Sequence, residues 1–214
     1  RQLTETRLRL LQAQIEPHFL FNTLASAQQL AQKGAPDAAR LIGHLVRFLR
    51  ISIPSMRDDK GALKREFEQI AAYLAIMQTR MGERLQYSVE AQAGSEQFPL
   101  PPALVMTLVE NAIKHGIEPA AEGGRVDVRS LIDGQQLVIS VADTGVGLTP
   151  DSGDAGETGT GLGLSNIAQR LQAIYGDAAR LQLTQNAPRG CLATLFLPLT
   201  AGDTPAPPSS TLPV

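Results

Sequence analysis

Apolar residues recur at helical spacing along the N-terminal part of the chain. Leu8, Leu11, Ile15, Phe19 and Asn22 fall on one stripe of a helix expected from Leu3 to about Lys33, with His18 at the stripe's edge. Pro17 interrupts that helix. Its missing N–H and its ring free the carbonyl of Ala13 and bend the axis just before His18. Gly34 suits a C-terminal cap, and Asp37 suits the N-cap of a second helix reaching about Ile53. Leu41, Ile42, Leu45, Val46, Leu49 and Ile53 make one face of it. Two such helices joined by a turn are too thin to bury both stripes. A second copy, completing a four-helix bundle, would cover them.

Beyond Ile53-Pro54-Ser55 the pattern changes. Met56 to Gly61 is polar and reads as a linker. Leu63 to Met81 is a third helix, with Phe67, Ile70, Leu74 and Met77 at helical spacing. Leu85 to Ala91 predicts a strand, and Pro101-Pro102 opens the helix that carries Asn111. Arg125 to Ile132 and Leu137 to Asp143 form a hairpin around Asp133-Gly134. Leu148 to Thr160 is glycine-rich, acidic and nearly free of large apolar residues, the pattern of a mobile loop. Ser165 to Tyr175 reads as a helix, and Arg180 to Thr184 and Cys191 to Leu197 as closing strands. The expected division is a helical region over 1–57, an α/β unit over 62–200, and a disordered tail over 201–214 rich in Pro, Ser and Thr.

Composition narrows the function classes. Of 214 residues, 43% are hydrophobic and 19% charged, which places the chain among globular proteins. A net charge of −2 gives no electrostatic case for nucleic acid. A single cysteine, Cys191, excludes an intrachain disulfide and a multi-cysteine metal site. No apolar run is long enough to span a bilayer. The chain opens at Arg1 in mid-helix without a methionine, so a fragment is expected, with membrane attachment left to a missing upstream segment.

Four stretches carry candidate chemistry. Asp143 ends a strand and shares its parity with Leu137, Ile139 and Val141, so it points to the apolar face. A carboxylate there must meet a partner, and the exocyclic amine of adenine would be one. Gly145 and Gly147 then let backbone lie close to a flat ring. Taken alone, a strand end followed by a turn explains this stretch better. Asn111 shares a helix stripe with Leu104, Leu108 and His115, with Lys114 adjacent. Its amide oxygen suits Mg²⁺, and Lys114 and His115 suit phosphate oxygens. An ordinary helix end with cations favoured by the dipole explains the same residues. Gly159, Gly161 and Gly163 in Gly159-Thr160-Gly161-Leu162-Gly163-Leu164 precede a helix beginning near Ser165, where backbone N–H groups and the helix N-terminus favour anions. The spacing is neither that of a dinucleotide fold nor that of a P-loop. Finally, Gln14 to Leu24 holds His18, one of three histidines. Most single histidines are packed or solvated helix residues; His44 reads that way.

Taken in order, Leu108 to Gly116, Asp143 to Gly147 and Gly159 to Leu164 resemble the N, G1 and G2 boxes of the GHKL ATPases, the Bergerat fold of histidine kinases, gyrase, MutL and Hsp90. Pro17-His18-Phe19-Leu20-Phe21-Asn22 resembles the phosphoacceptor motif of the LytS/AlgZ-like sensor histidine kinases. Leu100-Pro101-Pro102, Tyr73 and the segment Arg80 to Leu85 fit that family too, and the likeness covers roughly residues 10 to 198. It implies an α+β fold: an N-terminal helical hairpin for dimerisation and phosphoacceptance, followed by a GHKL α/β sandwich with a mixed, mostly antiparallel sheet.

By this resemblance Asp143 holds adenine, Asn111 holds Mg²⁺, Lys114 and His115 hold phosphates, and Leu148 to Thr160 is the ATP lid. The γ-phosphoryl group would pass to His18 and then to an aspartate of a response regulator receiver domain. In the family that partner often carries a LytTR-type DNA-binding domain. The resemblance further implies a homodimer and a cytoplasmic domain of an inner-membrane sensor. Asn22, one turn from His18, offers an amide to orient a water for phosphatase chemistry. Two departures matter. GHKL proteins that hydrolyse ATP with water carry a glutamate four residues before the N-box asparagine, where this chain has Thr107. Many other histidine kinases carry an acid directly after the phosphorylated histidine, where this chain has Phe19. Glu16 is then the candidate base nearest in sequence, although an imidazole with a pKa near ~6.5 is largely neutral at pH 7 and needs little help. Glu110 has no assigned role. The rivals are a GHKL ATPase that couples hydrolysis to a conformational change, and a non-catalytic dimeric adaptor.

Overall fold

The computed structural model describes residues 17–33, 35–52, 63–147 and 160–199. Expectations for residues 1–16, Gly34, the linker Met56 to Gly61, the loop from Leu148 up to residue 159 and the tail over 201–214 lie outside the described residues. So do the expected seam of Leu8, Leu11 and Ile15 and the bend at the Ala13 carbonyl.

Helix α1 (Pro17–Lys33) and helix α2 (Ala35–Ser52) pack side by side. Asp37 does not cap α2, as had been expected. The helix begins at Ala35, and Asp37 lies in its first turn, 2.7 Å from Arg40. Pro36 explains the earlier start, since a residue with fixed φ and no N–H fits a first helical turn. The inward face of α2 is also rotated from the expected one. Ala38, Leu41, Leu45 and Phe48 are buried, whereas Ile42 and Val46 are 48% and 50% exposed. Helix α3 (Leu63–Met81) lies against this pair, and its apolar residues Phe67, Ile70, Leu74 and Met77 are all buried as the spacing predicts. Phe19 of α1, Phe48 of α2 and Tyr73 of α3 form an aromatic cluster, with ring centroids 5.3–6.4 Å apart.

The strands β1 (Leu85–Ala91), β2 (Gly124–Asp133), β3 (Gln136–Asp143), β4 (Arg180–Gln185) and β5 (Cys191–Pro198) form one sheet in the order β1-β2-β3-β5-β4. Only the β1–β2 pairing is parallel. Hairpin β2–β3 closes through Gly134-Gln135, where Gly134 has φ +58°, a value suited to a two-residue turn. Val126 and Val128 of β2, Leu137, Ile139 and Val141 of β3, and Ala193, Leu195 and Leu197 of β5 are buried on one face. Against that face lie α3, helix α4 (Leu104–Asn111) and helix α5 (Thr160–Tyr175). The result is the expected α+β architecture with a mixed, mostly antiparallel sheet. The apolar core runs without a break from Ala27 and Leu41 of the hairpin to Leu195 and Leu197 of the sheet.

Two features depart from the local pattern. After Asn111, α4 continues as a π-helical turn over Ala112–Ile117, marked by a bond from the Glu118 N–H to the Ile113 carbonyl at 2.8 Å. In addition, Glu66 of α3 is a carboxylate only 6% exposed. Burial pushes its pKa from the ordinary 4.5 up to about 7, against the pull of backbone N–H groups and of Arg170. An acid with a raised folded-state pKa binds more protons folded than unfolded. Its contribution to stability is therefore fully present below 4.5 and lost as pH rises through about 7. Glu66→Gln removes that contribution. Thermal melts across this window should show the variant's melting temperature rising relative to the parent as pH increases. A constant difference between the two would contradict the assignment.

Candidate active site

The site grows from the end of β3. Asp143 keeps the parity of its strand and is 4% exposed. Its Oδ1 accepts a hydrogen bond from the Gly145 N–H at 2.8 Å. Burial raises the pKa of this carboxyl, while the Gly145 and Cys191 backbone pulls it back. The same surroundings, with the Asp143 charge, push the Cys191 thiol up to about 11.

Glycines make room for this carboxylate. A Cβ on Gly116 would lie 2.7 Å from Asp143 Oδ1, and one on Gly145 would lie 2.1 Å from the Gly116 carbonyl oxygen. That carbonyl accepts a bond from the Val146 N–H at 3.0 Å. The turn after β3 and the π-helical turn after α4 thus meet backbone to backbone, and no side chain fits between them. From the other side Asn186 donates to the Asp143 carbonyl at 2.7 Å, and Gly190, at φ +118°, packs against the same oxygen. Thr144 ties the turn to β2: its Oγ1 accepts from the Arg125 N–H at 2.9 Å.

Asn111 closes α4. Its Nδ2 is buried without a hydrogen-bond partner among the described residues. An amide's oxygen and nitrogen exchange places by a flip, so this position offers either a donor or an acceptor. Such an orphan is costly and calls for a partner from beyond the described residues. A Cβ on Gly163 of α5 would lie 3.5 Å from that nitrogen, so α5 comes directly against Asn111. Thr107, Gly163, Asn166 and Arg170 line a groove that opens beside it. Lys114 is exposed and His115 is half-buried in the π-helical turn. Burial, then the charge of Lys114, lowers the His115 pKa and favours a neutral ring.

The expected site residues are therefore partly assembled. Asp143 and Gly145 both meet Gly116, Gly163 meets Asn111, which lies five residues before Gly116 on the same helical run, and Gly147, at φ +85°, adjoins Gln185. Gly161 and Gly163 do not precede a helix, as had been expected. Helix α5 starts at Thr160 and includes both. Close approach of this helix to Asn111 outweighs the low helix propensity of glycine. Leu164 is half-buried against the core. Gly159 and Glu16 lie outside the described residues, and so does the ring of His18, whose backbone is in the first turn of α1. Asn22 is half-buried, and its carbonyl accepts from Ser26 at 2.8 Å. Among the described residues, the groups around Asp143 and Asn111 come from α4 and its π-helical turn, β3, α5 and the β4–β5 turn. Gly190, Asn186 and Glu66 gave no functional signal along the chain, and Gly116 closed the N-box stretch with no role of its own, because their contacts join distant segments.

Residues 6–85 match the family model described as histidine kinase. Residues 102–201 match that of the histidine kinase-, DNA gyrase B- and HSP90-like ATPase. Sensor protein LytS of Staphylococcus haemolyticus is 33% identical over 187 residues, which are 84% of this chain and 32% of that protein. Sensor histidine kinase YpdA of Escherichia coli is 35% identical over 184 residues, 83% of this chain and 32% of that protein. The chain belongs to the LytS-like sensor histidine kinase family. The chain spans about a third of the length of the curated relatives it matches. The fold agrees. The histidine kinase domain of the Erythrobacter litoralis EL346 blue-light activated histidine kinase superposes with a TM-score of 0.53 at 20% identity, over 92% of this chain and 93% of that one. The family matched by residues 102–201 implies ATP binding, and those residues include the described groups around Asp143 and Asn111.

Proposed function

We propose that this chain is the cytoplasmic kinase core of a two-component sensor. It binds Mg-ATP, transfers the γ-phosphoryl group to an imidazole nitrogen of His18, and passes it to an aspartate of a response regulator receiver domain. The observation that carries this reading is the buried Asp143 carboxylate beside two glycines that admit no side chain, with the Asn111 Nδ2, unpartnered among the described residues, at the adjoining helix end. A carboxylate in such a place fits the exocyclic amine of adenine. Asn111 would hold the metal, and Lys114 and His115 the phosphates. Bound Mg²⁺ would supply neutralisation of triphosphate charge.

On transfer the bond between Pγ and the bridging oxygen breaks, an N–P bond forms, ADP leaves, and the imidazole N–H proton goes to solvent or to a base. The protein's part is positioning. Hydrolysis by water fits less well. Thr107 stands one turn before Asn111, and its hydroxyl is bonded to the Ala103 carbonyl at 2.8 Å, so it supplies no base. Leu24 of α1 and Ile42 and Val46 of α2 are large, apolar and about half exposed. They support a homodimer formed through the hairpin, and the separate family matches over residues 6–85 and 102–201 support a division into a helical unit and an ATP-binding unit. Incubation with γ-labelled ATP and mapping of acid-labile label tests the reading. Label on His18 is expected, and release of inorganic phosphate without protein label would favour the ATPase.

Asn111→Asp should lower phosphotransfer at saturating Mg-ATP by roughly a hundredfold, the scale for losing one polar contact to the reacting group. Nucleotide affinity should fall much less, because the adenine contact survives. Unchanged transfer would remove Asn111 from the phosphate end.

A further inference from the structure

Helix α4 starts without a cap of its own. Its N-cap residue is Ala103, in the left-handed region at φ 62°, which offers no side-chain acceptor. Two of its free N–H groups are nevertheless met. Oε1 of Glu66, reaching from α3, accepts from the Val105 N–H at 2.6 Å and the Met106 N–H at 3.0 Å. Two orphan donors of a first helical turn are thus satisfied by a carboxylate from another helix. Arg170 of α5 adds a second tie, donating to the Pro102 carbonyl at 3.0 Å, and its charge acts on Glu66.

Position decides what this cap does. Asn111 ends the same eight-residue helix that Glu66 holds at its start. On the other side, α3 is tied to the hairpin close to Glu66. Arg65 donates to the Ile51 carbonyl at 3.4 Å, and Gln69 donates to Ser52 Oγ at 3.1 Å. Keeping a carboxylate so deeply buried is costly, as its raised pKa shows. The cost is offset only where the group has work that an apolar residue would not do.

We propose that Glu66 is a positioning residue for the phosphate end of the nucleotide site: its carboxylate, delivered by the helix that packs on the phosphoacceptor hairpin, fixes the start of α4 and with it the place of Asn111. This rests on the reading of Asn111 given above. Loss of the cap frees the first turn of α4 and lets the Asn111 amide drift from the metal and phosphates. The adenine contact at Asp143 comes from β3 and is left alone.

The test compares affinity for Mg-ATP with affinity for adenosine, which lacks phosphates, by calorimetry on the full 214-residue chain. Glu66→Ala should weaken Mg-ATP roughly three- to tenfold, the range that loss of a helix cap supports, and adenosine less than about twofold. Glu66→Gln, whose Oε1 still accepts from both amides, should restore the parent's preference. Should Glu66→Ala not fold, Glu66→Met keeps the length and volume without an acceptor. Hydrogen exchange at Val105 and Met106 should quicken in the Ala and Met variants and not in Gln. Asn111→Ala serves as the reference and should itself lose the preference for Mg-ATP. If it does and Glu66→Ala and Glu66→Met do not, the role of Glu66 is refuted while the site stands. Equal weakening of both ligands by Glu66→Ala means a merely structural carboxylate and also refutes it. If Asn111→Ala keeps the preference, the reading of Asn111 fails, and the role of Glu66 fails with it.

Discussion

Asp143→Asn abolishes ATP binding at ordinary nucleotide concentrations and leaves the protein folded. The substitution is nearly isosteric, and its effect follows from which atom is already engaged. Asp143 Oδ1 accepts from the Gly145 N–H at 2.8 Å. An asparagine must place its only acceptor there to satisfy that N–H, which turns its amide nitrogen toward the nucleotide. Adenine presents an amine to this position, so donor would meet donor. The loss combines a hydrogen bond to a charged acceptor with an unsatisfied buried group. Together these amount to about 3–5 kcal/mol, or roughly two to four orders of magnitude in affinity. The fold survives for the same reason that the carboxyl's pKa is raised: burial disfavours the charge, and the neutral amide does not carry it. Calorimetry showing near-parent ATP affinity in a variant with an unchanged melting temperature would take Asp143 out of the adenine site.

That Asp143 faces the core was legible because a strand alternates strictly. The buried residues Leu137, Ile139 and Val141 fix its direction, and one shift in register would have turned all four outward. Helix α3 and strand β1 were equally legible, since the change from helical to alternating spacing falls between Met81 and Leu85. The contacts that complete the site were not. Gly116 and Gly145 are required by each other, a pairing across two turns that no local spacing encodes. Glu66 reads along the chain as a charged residue in the first turn of an amphipathic helix. Only the tertiary placement of α4 turns it into a cap. The rotated face of α2 has a similar origin. Ile42 and Val46 carry the same apolar signal as Leu41 and Leu45, and which pair turns inward is set by the packing of α1 and α3. The glycines of α5 misled in the opposite direction. Local propensity sets them outside a helix, and the approach of α5 to Asn111 places them inside one.

His18→Gln should abolish acid-labile labelling from γ-labelled ATP, to background, while ATP affinity stays within about twofold of the parent. Glutamine offers no ring nitrogen to form the N–P bond, so the loss is complete rather than graded. Binding persists because the described groups around Asp143 and Asn111 come from α4, β3, α5 and the β4–β5 turn. The helix itself should hold. Glutamine has good helix propensity, and the neighbouring Phe19 keeps its ring contacts with Phe48 and Tyr73 at 5.5 and 5.3 Å. Because acceptor and nucleotide site are carried by different elements, the two functions should also separate between chains. Mixing His18→Gln with Asp143→Asn gives each variant what the other lacks. If subunits exchange and transfer runs between them, label returns on His18 of the Asp143→Asn chain. If transfer runs within a subunit, the mixture stays dark while ATP binding by the His18→Gln chain is undiminished. Acid-labile label retained on His18→Gln alone would place the acceptor elsewhere, with His44 on α2 the first residue to examine.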